Sequence, residues 1–273
     1  MRHKHALSEL LAYLKHPRST YYRHLSSVQD RCQEHKREIL AVHSASLGTY
    51  GYRRVTSELI KKGIRINHKA VSRLMHELGI CGIGSRRRRY SSYKGDVGRL
   101  AANKLKRNFK STRKLAKLVT DITEFKVAGA KLYLSPVMDL YNGEILSYSL
   151  GPSPNVHLVE SMLDKLYVSV GKIGRRGILH SDQGWHYQMP FYRNQLKMLG
   201  LKQSMSRKGN CLDNAGMESF FGILKNEMYY GKDFDSAKIF TDKLNAYMHF
   251  YNNKRNKARL KGMSPVEYRA HYE

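Results

Sequence analysis

The chain has 273 residues, 41% of them apolar, enough to build cores in two or three domains and to exclude wholesale disorder. No apolar run approaches the ~18 residues of a membrane helix, and the patch at residues 10–12 is too short for a signal peptide, so a cytoplasmic protein is expected. The three cysteines, Cys32, Cys81 and Cys211, are scattered and lack the paired spacing of a zinc site or a disulfide framework. The formal net charge of +27 is uneven: residues 1–110 carry 25 Lys and Arg against 7 Asp and Glu, residues 111–273 carry 24 against 15. Such a field selects a polyanionic partner and names no reaction.

From about residue 7 to 62 the pattern is helical, with basic polar faces. Tyr52, Val55 and Leu59 recur at helical spacing and the run stops at Gly63. Asn67 reads as the N-cap of a second helix, with apolar stripe Val71, Leu74, Met75 and Leu78 and Gly79 as its end. Two short helices around a tight turn predict a helix-turn-helix unit. Its second helix would expose Lys69, Ser72, Arg73 and His76, which suit a DNA groove, although a solvated helical hairpin has the same pattern. Residues 1–81 are thus expected to be a helical DNA-binding region. Residues 82–112 read as a basic linker, in which Arg86, Arg87, Arg88 and Arg89 beside Tyr90 and Tyr93 can hold phosphates and stack on bases.

The third region, 113–273, changes to strand periodicity. Runs at 118–127, 132–140 and 144–150 are separated by Gly129-Ala130 and by the hairpin signal Asn142-Gly143. A helix over 156–170, a short strand at 177–180, a helix at about 189–199 and a strand at 201–204 follow. This alternation predicts an α/β domain, a mixed sheet with helices on its faces. Further helices are expected at about 214–229 and 236–252.

Three carboxylates sit at informative places. Asp121 lies within the first strand, where an uncompensated charge is expensive. Asp182 follows the C-terminal end of its strand, where α/β sheets place ligands. Glu218 lies at the edge of the stripe Met217, Phe220, Phe221, Leu224 and Met228. Oxygen ligands from two strands and a helix suit Mg²⁺ (or Mn²⁺), and two ions ~3.5–4 Å apart can drive phosphodiester hydrolysis and transesterification. Each residue alone reads equally as a cap or salt-bridge partner, and Asp213 reads as the N-cap of the Glu218 helix. Asp139, Glu124 and Glu227 read as structural. Thirty-five residues separate Asp182 from Glu218, and Lys225 stands seven after Glu218, two helical turns on.

With these motifs the chain resembles the retroviral-integrase-like transposases of bacterial insertion sequences, specifically the second-frame product of the insertion-sequence-three group. The resemblance rests on Tyr50-Gly51-Tyr52-Arg53-Arg54, Thr120-Asp121-Ile122-Thr123, His180-Ser181-Asp182-Gln183-Gly184, Asp213-Asn214-Ala215 leading to Glu218-Ser219-Phe220-Phe221, and Ser264-Pro265-Val266-Glu267-Tyr268. It implies a ribonuclease-H-like integrase catalytic core after a helix-turn-helix-like domain. It also implies Asp121, Asp182 and Glu218 as ligands of two divalent ions, with Lys225 contacting DNA. The implied partners are element ends and target DNA, further copies of the chain on that DNA, and a first-frame helix-turn-helix protein. That protein is usually joined by frameshifting, which would put the active protein's start upstream of Met1. Glu124 departs from the family, where an aromatic residue is usual.

The stretch 204–216 reads as a mobile loop in which Arg207 and Lys208 can close on DNA, with ordinary surface solubility a nearly equal reading. Trp185 reads equally as a base-stacking residue or a core cap, and His180 as a packed polar residue. A nuclease of the same fold that does not join strands, and a DNA-binding regulator without catalysis, are the competing readings.

Overall fold

The computed structural model describes residues 6–84, 100–173, 177–207 and 211–272, without the side chains of 23–31 and 211–212. Arg86, Arg87, Arg88, Arg89, Tyr90, Tyr93 and Lys208 lie outside the described residues. The chain forms two compact units, Met1–Ile83 and Gly84–Glu273. Among the described residues no helix is long and apolar enough to cross a membrane.

The first unit contains α1 (Leu7–Tyr13), α2 (Arg18–Ala45), α3 (Tyr52–Lys61) and α4 (His68–Glu77). Val55 and Leu59 of α3 and Val71, Leu74 and Met75 of α4 bury the expected stripes together with Ile39 and Val42 of α2. Each buried aliphatic chain contributes about 1.5–3 kcal/mol. The Asn67 carboxamide accepts from the Lys69 N–H at 2.8 Å and starts α4. Gly63 and Gly79 follow the two helices with φ of 82° and 65°, a conformation that glycine adopts without Cβ strain. Lys69, Ser72, Arg73 and His76 are all exposed.

The second unit is built on β1 (Lys117–Thr120), β2 (Thr123–Val127), β3 (Ala130–Asp139), β4 (Ile145–Gly151), β5 (Gly177–Ser181) and β6 (Leu201–Met205). Around them run α5 (Val156–Val170), α6 (Trp185–Gln188), α7 (Pro190–Leu199), α8 (Ala215–Leu224), α9 (Ala237–Asn253) and α10 (Pro265–Tyr272). β3 pairs antiparallel with β4 on one edge; β1 and β2 share the other, with register running unshifted from Thr120↔Val137 to Thr123↔Leu134. β1 then pairs parallel with β5, and β5 with β6. The mixed α/β sheet expected from the alternation of periods is present, with the switch between antiparallel and parallel neighbours at β1.

Leu118, Leu179 and Leu201 bury one face of the sheet against Val159, Met162, Leu163 and Leu166 of α5 and Tyr192, Leu196 and Leu199 of α7. Side chains alternate along a strand, so Val119 faces the other way. On that face Val119, Met138 and Leu140 lie under Gly216 of α8, where an added Cβ would stand 2.9 Å from Leu140 Cδ2. Beyond α8 the chain is pinned by a buried ion pair, Arg255 donating to both oxygens of Glu227 at 2.6 and 2.8 Å while Tyr247 donates to the same carboxylate. The last helix carries the expected capping box: Ser264 N–H donates to Glu267 Oε2 at 2.7 Å, and Glu267 N–H to Ser264 Oγ at 3.3 Å.

Three local expectations are corrected. The run read as one strand over 118–127 loses its ladder at Asp121 and Ile122. There Asp121 Oδ1 accepts its neighbour Ile122's N–H at 2.7 Å, and Asn214 Nδ2 donates to the Thr120 carbonyl at 3.1 Å. Asp121 is therefore the first residue beyond β1. The helix read over 214–229 is α-helical only to Leu224; Lys225–Tyr229 forms a π-helical turn closed by Tyr230 N–H on the Lys225 carbonyl at 2.7 Å. Asp213 is not the N-cap of α8, a position held by Asn214. Asp213 is instead fully buried between two arginines.

Candidate active site

Asp121 and Asp182 stand at the C-terminal ends of β1 and β5, which are parallel neighbours. Parallel pairing brings two such ends side by side, and both acids emerge there. Burial raises the Asp121 carboxyl well above the usual carboxylate range; the charges of Asp182 and Glu218 raise it further, while the Ile122 N–H and the Lys225 charge oppose. Burial also raises the Asp182 carboxyl, against the Gly184 N–H that donates to its Oδ1 at 2.9 Å. Glu218, in the first turn of α8, is half-buried, and its carboxyl is raised by burial. The four groups that spacing singled out, Asp121, Asp182, Glu218 and Lys225, thus feel one another's charges around Asp121.

Lys225 follows Glu218 along the helix that sequence spacing suggested and closes α8 as its C-cap. It opens the π-helical turn, with Nζ 5.2 Å from the centre of the Phe125 ring of β2. A cation over an aromatic face is held by the ring quadrupole, which fixes the direction of a long side chain.

The floor of the site is aromatic. Tyr187 is fully buried, and its phenol is held far above the usual range by burial and then by the Asp121 and Asp182 charges. Its hydroxyl therefore stays neutral behind the acidic pair. Tyr192 packs edge-on against it, ring centres 5.2 Å apart. His180, also fully buried, lies between Ser204 Oγ at 2.8 Å and Ser206 Oγ at 3.1 Å, and burial lowers its pKa to about 4. It ties β5 to β6 as a neutral, packed residue. Trp185 opens α6 half-buried, edge-on to His186 at 5.3 Å.

Arg207 and Asp213 flank the described part of the loop before α8. Asp213 accepts from the Arg207 N–H, Nε and Nη2, from Arg107 Nε and from Asn103 Nδ2, all at 2.9–3.1 Å. These bonds hold its carboxyl far below the usual range, the Arg207 guanidinium foremost. Sequence reading gave Arg207 either to DNA or to plain surface solubility, and did not pair it with Asp213. It missed Arg107 and Asn103, which come from residues read as linker, because the connection spans about a hundred residues and leaves no local pattern.

Asp139, Glu124 and Glu227 are engaged elsewhere: Asp139 with the Leu115 and Tyr141 N–H groups, Glu124 with Lys131 and Tyr133, Glu227 with Arg255. Among the described residues, no three Asp, Glu, His or Cys side chains already converge as a ready-made cation cage. The donor chemistry nevertheless fits a hard divalent cation. All three candidate donors are carboxylate oxygens, and Asp121 and Asp182 stand half-buried at adjoining strand ends, where their ionised forms are costly without a counter-charge.

Two models of the integrase core domain match this chain, over residues 111–211 and 218–272, and an HTH-like domain model matches residues 29–90. Among solved structures it is similar to the simian T-cell lymphotropic virus intasome, at 15% identity and a TM-score of 0.48, over 86% of this chain and 74% of that one. It is 48% identical over 271 residues to InsK, the transposase assigned to insertion sequence element IS150 in Escherichia coli (strain K12), covering 98% of this chain and 95% of that protein. It is 33% identical to the transposase of insertion sequence element IS904 from Lactococcus lactis, covering 86% and 95%. The sheet order, with helices on both faces, is the ribonuclease-H-like arrangement expected of an integrase core, and the chain belongs to the family of integrase-core transposases of bacterial insertion sequences.

Proposed function

We propose that this chain cuts DNA at the ends of an insertion sequence and joins the freed strand to target DNA, with Asp121, Asp182 and Glu218 as its metal-holding catalytic residues. The observation that carries the residue assignment is the placement of half-buried Asp121 and Asp182 at two adjoining strand ends, with Glu218 and Lys225 close enough for their charges to act on Asp121. Divalent ions held there, two by the chemistry of the reaction, would polarise the scissile phosphate and supply a nucleophilic oxygen at neutral pH.

The chain's own contribution is placement. β1 and β5 fix the first two carboxylates, and α8 brings the third across the sheet face that Val119 and Met138 floor. Lys225 offers a charge to a phosphate beside them. The buried rings of Tyr187 and Tyr192 lie beneath the pair and lower the local dielectric, so charges above them interact more strongly than in water. The exposed Lys69 and Arg73 on α4 suit contact with DNA, with residues 1–81 as the binding region, 82–112 as connection and 113–273 as the core. Several copies on the DNA and a first-frame partner protein complete the reading.

Glu218→Gln keeps the shape of the side chain and removes its charge. DNA binding should persist while cleavage and joining in Mg²⁺ or Mn²⁺ fall by at least about 1000-fold, the scale of losing one essential transition-state group. Normal activity in this variant would remove Glu218 from the assignment. Cleavage without joining by the parent chain would favour a nuclease.

A further inference from the structure

Between Leu100 and β1 the chain runs without regular secondary structure, yet it is built into the second unit. Ala101 N–H donates to Met205 Sδ, Lys104 N–H to Ser204 Oγ at 2.9 Å, and Leu105 is buried. Lys117 Nζ donates to the carbonyls of Asn108 and Lys110, both at 2.8 Å, and closes the segment's far end. Lys106, Arg107 and Leu115 adopt left-handed backbone conformations with φ of 44°, 61° and 58°. Each costs a non-glycine residue about 1–2 kcal/mol, so the path is imposed by its anchors. Residues 104–117 contain seven Lys and Arg and no Asp or Glu. Lys104, Lys106, Arg107, Lys110, Arg113 and Lys114 are all exposed.

The main anchor has an unusual charge balance. One buried carboxylate, Asp213, carries two guanidinium groups, and Arg107 Nε and Arg207 Nη2 meet on the same oxygen, Oδ1. Asp213 is fully buried, whereas the arginines keep exposed outer faces, 44% and 61% by side chain. The triad presents a net positive charge with two planar forks fixed side by side. A phosphodiester supplies two non-bridging oxygens and one negative charge, which suits that fork pair.

We infer that the 104–110 ribbon and the Arg107–Asp213–Arg207 triad form a phosphate-binding surface for duplex DNA on the catalytic unit, separate from α4. The inference rests on the reading of the chain as a DNA-joining enzyme and adds where the backbone is gripped. The ribbon starts at β6 and the triad ends at α8, so the surface borders the elements that carry the catalytic acids. A duplex held along it has its phosphates fixed while the reacting strand meets the carboxylates.

The test measures DNA affinity of the full chain by fluorescence anisotropy over a salt series. One duplex carries the element's terminal repeat and one an unrelated sequence. Three proteins are compared: the parent, K104A/K106A/K110A, and a control with three exposed lysines removed elsewhere on the unit, K197A/K202A/K238A. Each lost phosphate contact flattens the plot of log K against log salt by about 0.9, so the ribbon variant should lose about 2–3 from its slope and at least ~10-fold in affinity. The control should lose less than one contact's worth. R107Q, which leaves Arg207 on Asp213, should lose about one contact with its thermal unfolding midpoint within a few degrees of the parent. Loss on both duplexes, or on one alone, supports the surface and tells which DNA it holds. A ribbon variant equal to the parent or to the control overturns it. If the parent itself binds neither duplex, the functional reading falls as well, which separates the two failures.

Discussion

Gly184 sits two residues beyond Asp182, and its N–H donates to the carboxylate the site depends on. A Cβ at this position would lie 3.0 Å from Asp182 Oδ1 and 2.9 Å from His186 Nε2. Ordinary contact begins near 3.4 Å, so Gly184→Ala forces the carboxylate, the imidazole or the turn to give way by roughly half an ångström. The backbone itself tolerates alanine, with φ −52° and ψ 139°, and stiffening the unfolded chain returns about 0.4–1 kcal/mol. Stability should therefore change by less than about 1 kcal/mol. Catalysis has less tolerance: a misplacement of ~1 Å costs about 100-fold, so half that distance should cost about 10-fold, or ~1.4 kcal/mol of barrier. Single-turnover cleavage of a labelled terminal repeat measures the rate, and urea unfolding the stability. A parental rate constant in Gly184→Ala, with Asp182→Asn inactive, would show that the turn does not set the carboxylate position.

Glu227→Gln leaves Arg255 buried with its partner charge gone, and should cost about 3–5 kcal/mol in urea unfolding; a loss under 1 kcal/mol would mean that water reaches the pair. His180 has a folded pKa of about 4 against 6.5, so the unfolded chain binds its proton first and stability is lost as pH falls from 6.5 towards 4, by about 2 kcal/mol at pH 5. Asp139 works in the opposite sense, since burial raises it to about 6 and its contribution is lost as pH rises through that value. Comparing His180→Asn with the parent at pH 7 and pH 5 isolates the histidine, and an identical acid loss in both proteins would refute its buried neutral state. Asn214→Ala removes the side-chain bond from the α8 cap to the Thr120 carbonyl. Cleavage should fall by about 10-fold with DNA affinity kept, and equal losses in both would mark a general structural role.

Sequence reading located most elements because their signals are local. The Val55/Leu59 and Val71/Leu74/Met75 stripes, the Asn67 cap and the Ser264–Glu267 box each need only a few neighbouring residues, and each is found as read. The candidate acids were legible for the same reason, as a charge within an apolar strand, one just past a strand and one at a helix edge. What escaped depends on pairings across the fold. Asp213 resembles an N-cap locally, but Arg107, about a hundred residues earlier, gives it a stronger partner than a helix terminus offers. The helix after Glu218 keeps its apolar stripe through Met228, yet the Arg255–Glu227 pair accompanies a π-helical turn that no periodicity announces. The strand break at Asp121 likewise needs Asn214, a residue from another element, to take the Thr120 carbonyl out of the ladder.

These long-range pairings converge on the placement of Glu218. Asp121 and Asp182 follow paired strands, but no ladder reaches Glu218; the packing of α8 and the contacts at its start set its depth over the sheet. Asn214 ties the start of α8 to the residue before Asp121, and Gly216 lets the helix settle onto Leu140 and Val119. Asp213 ties the same turn to Arg107 and Arg207. A phosphate drawn to those arginines acts on the carboxylate one residue before the α8 cap. On the proposed reading, gripping the DNA backbone and setting the third carboxylate are therefore one mechanical event. Loosening Asp213 by Asp213→Asn should weaken both, whereas Glu218→Gln should spare the grip.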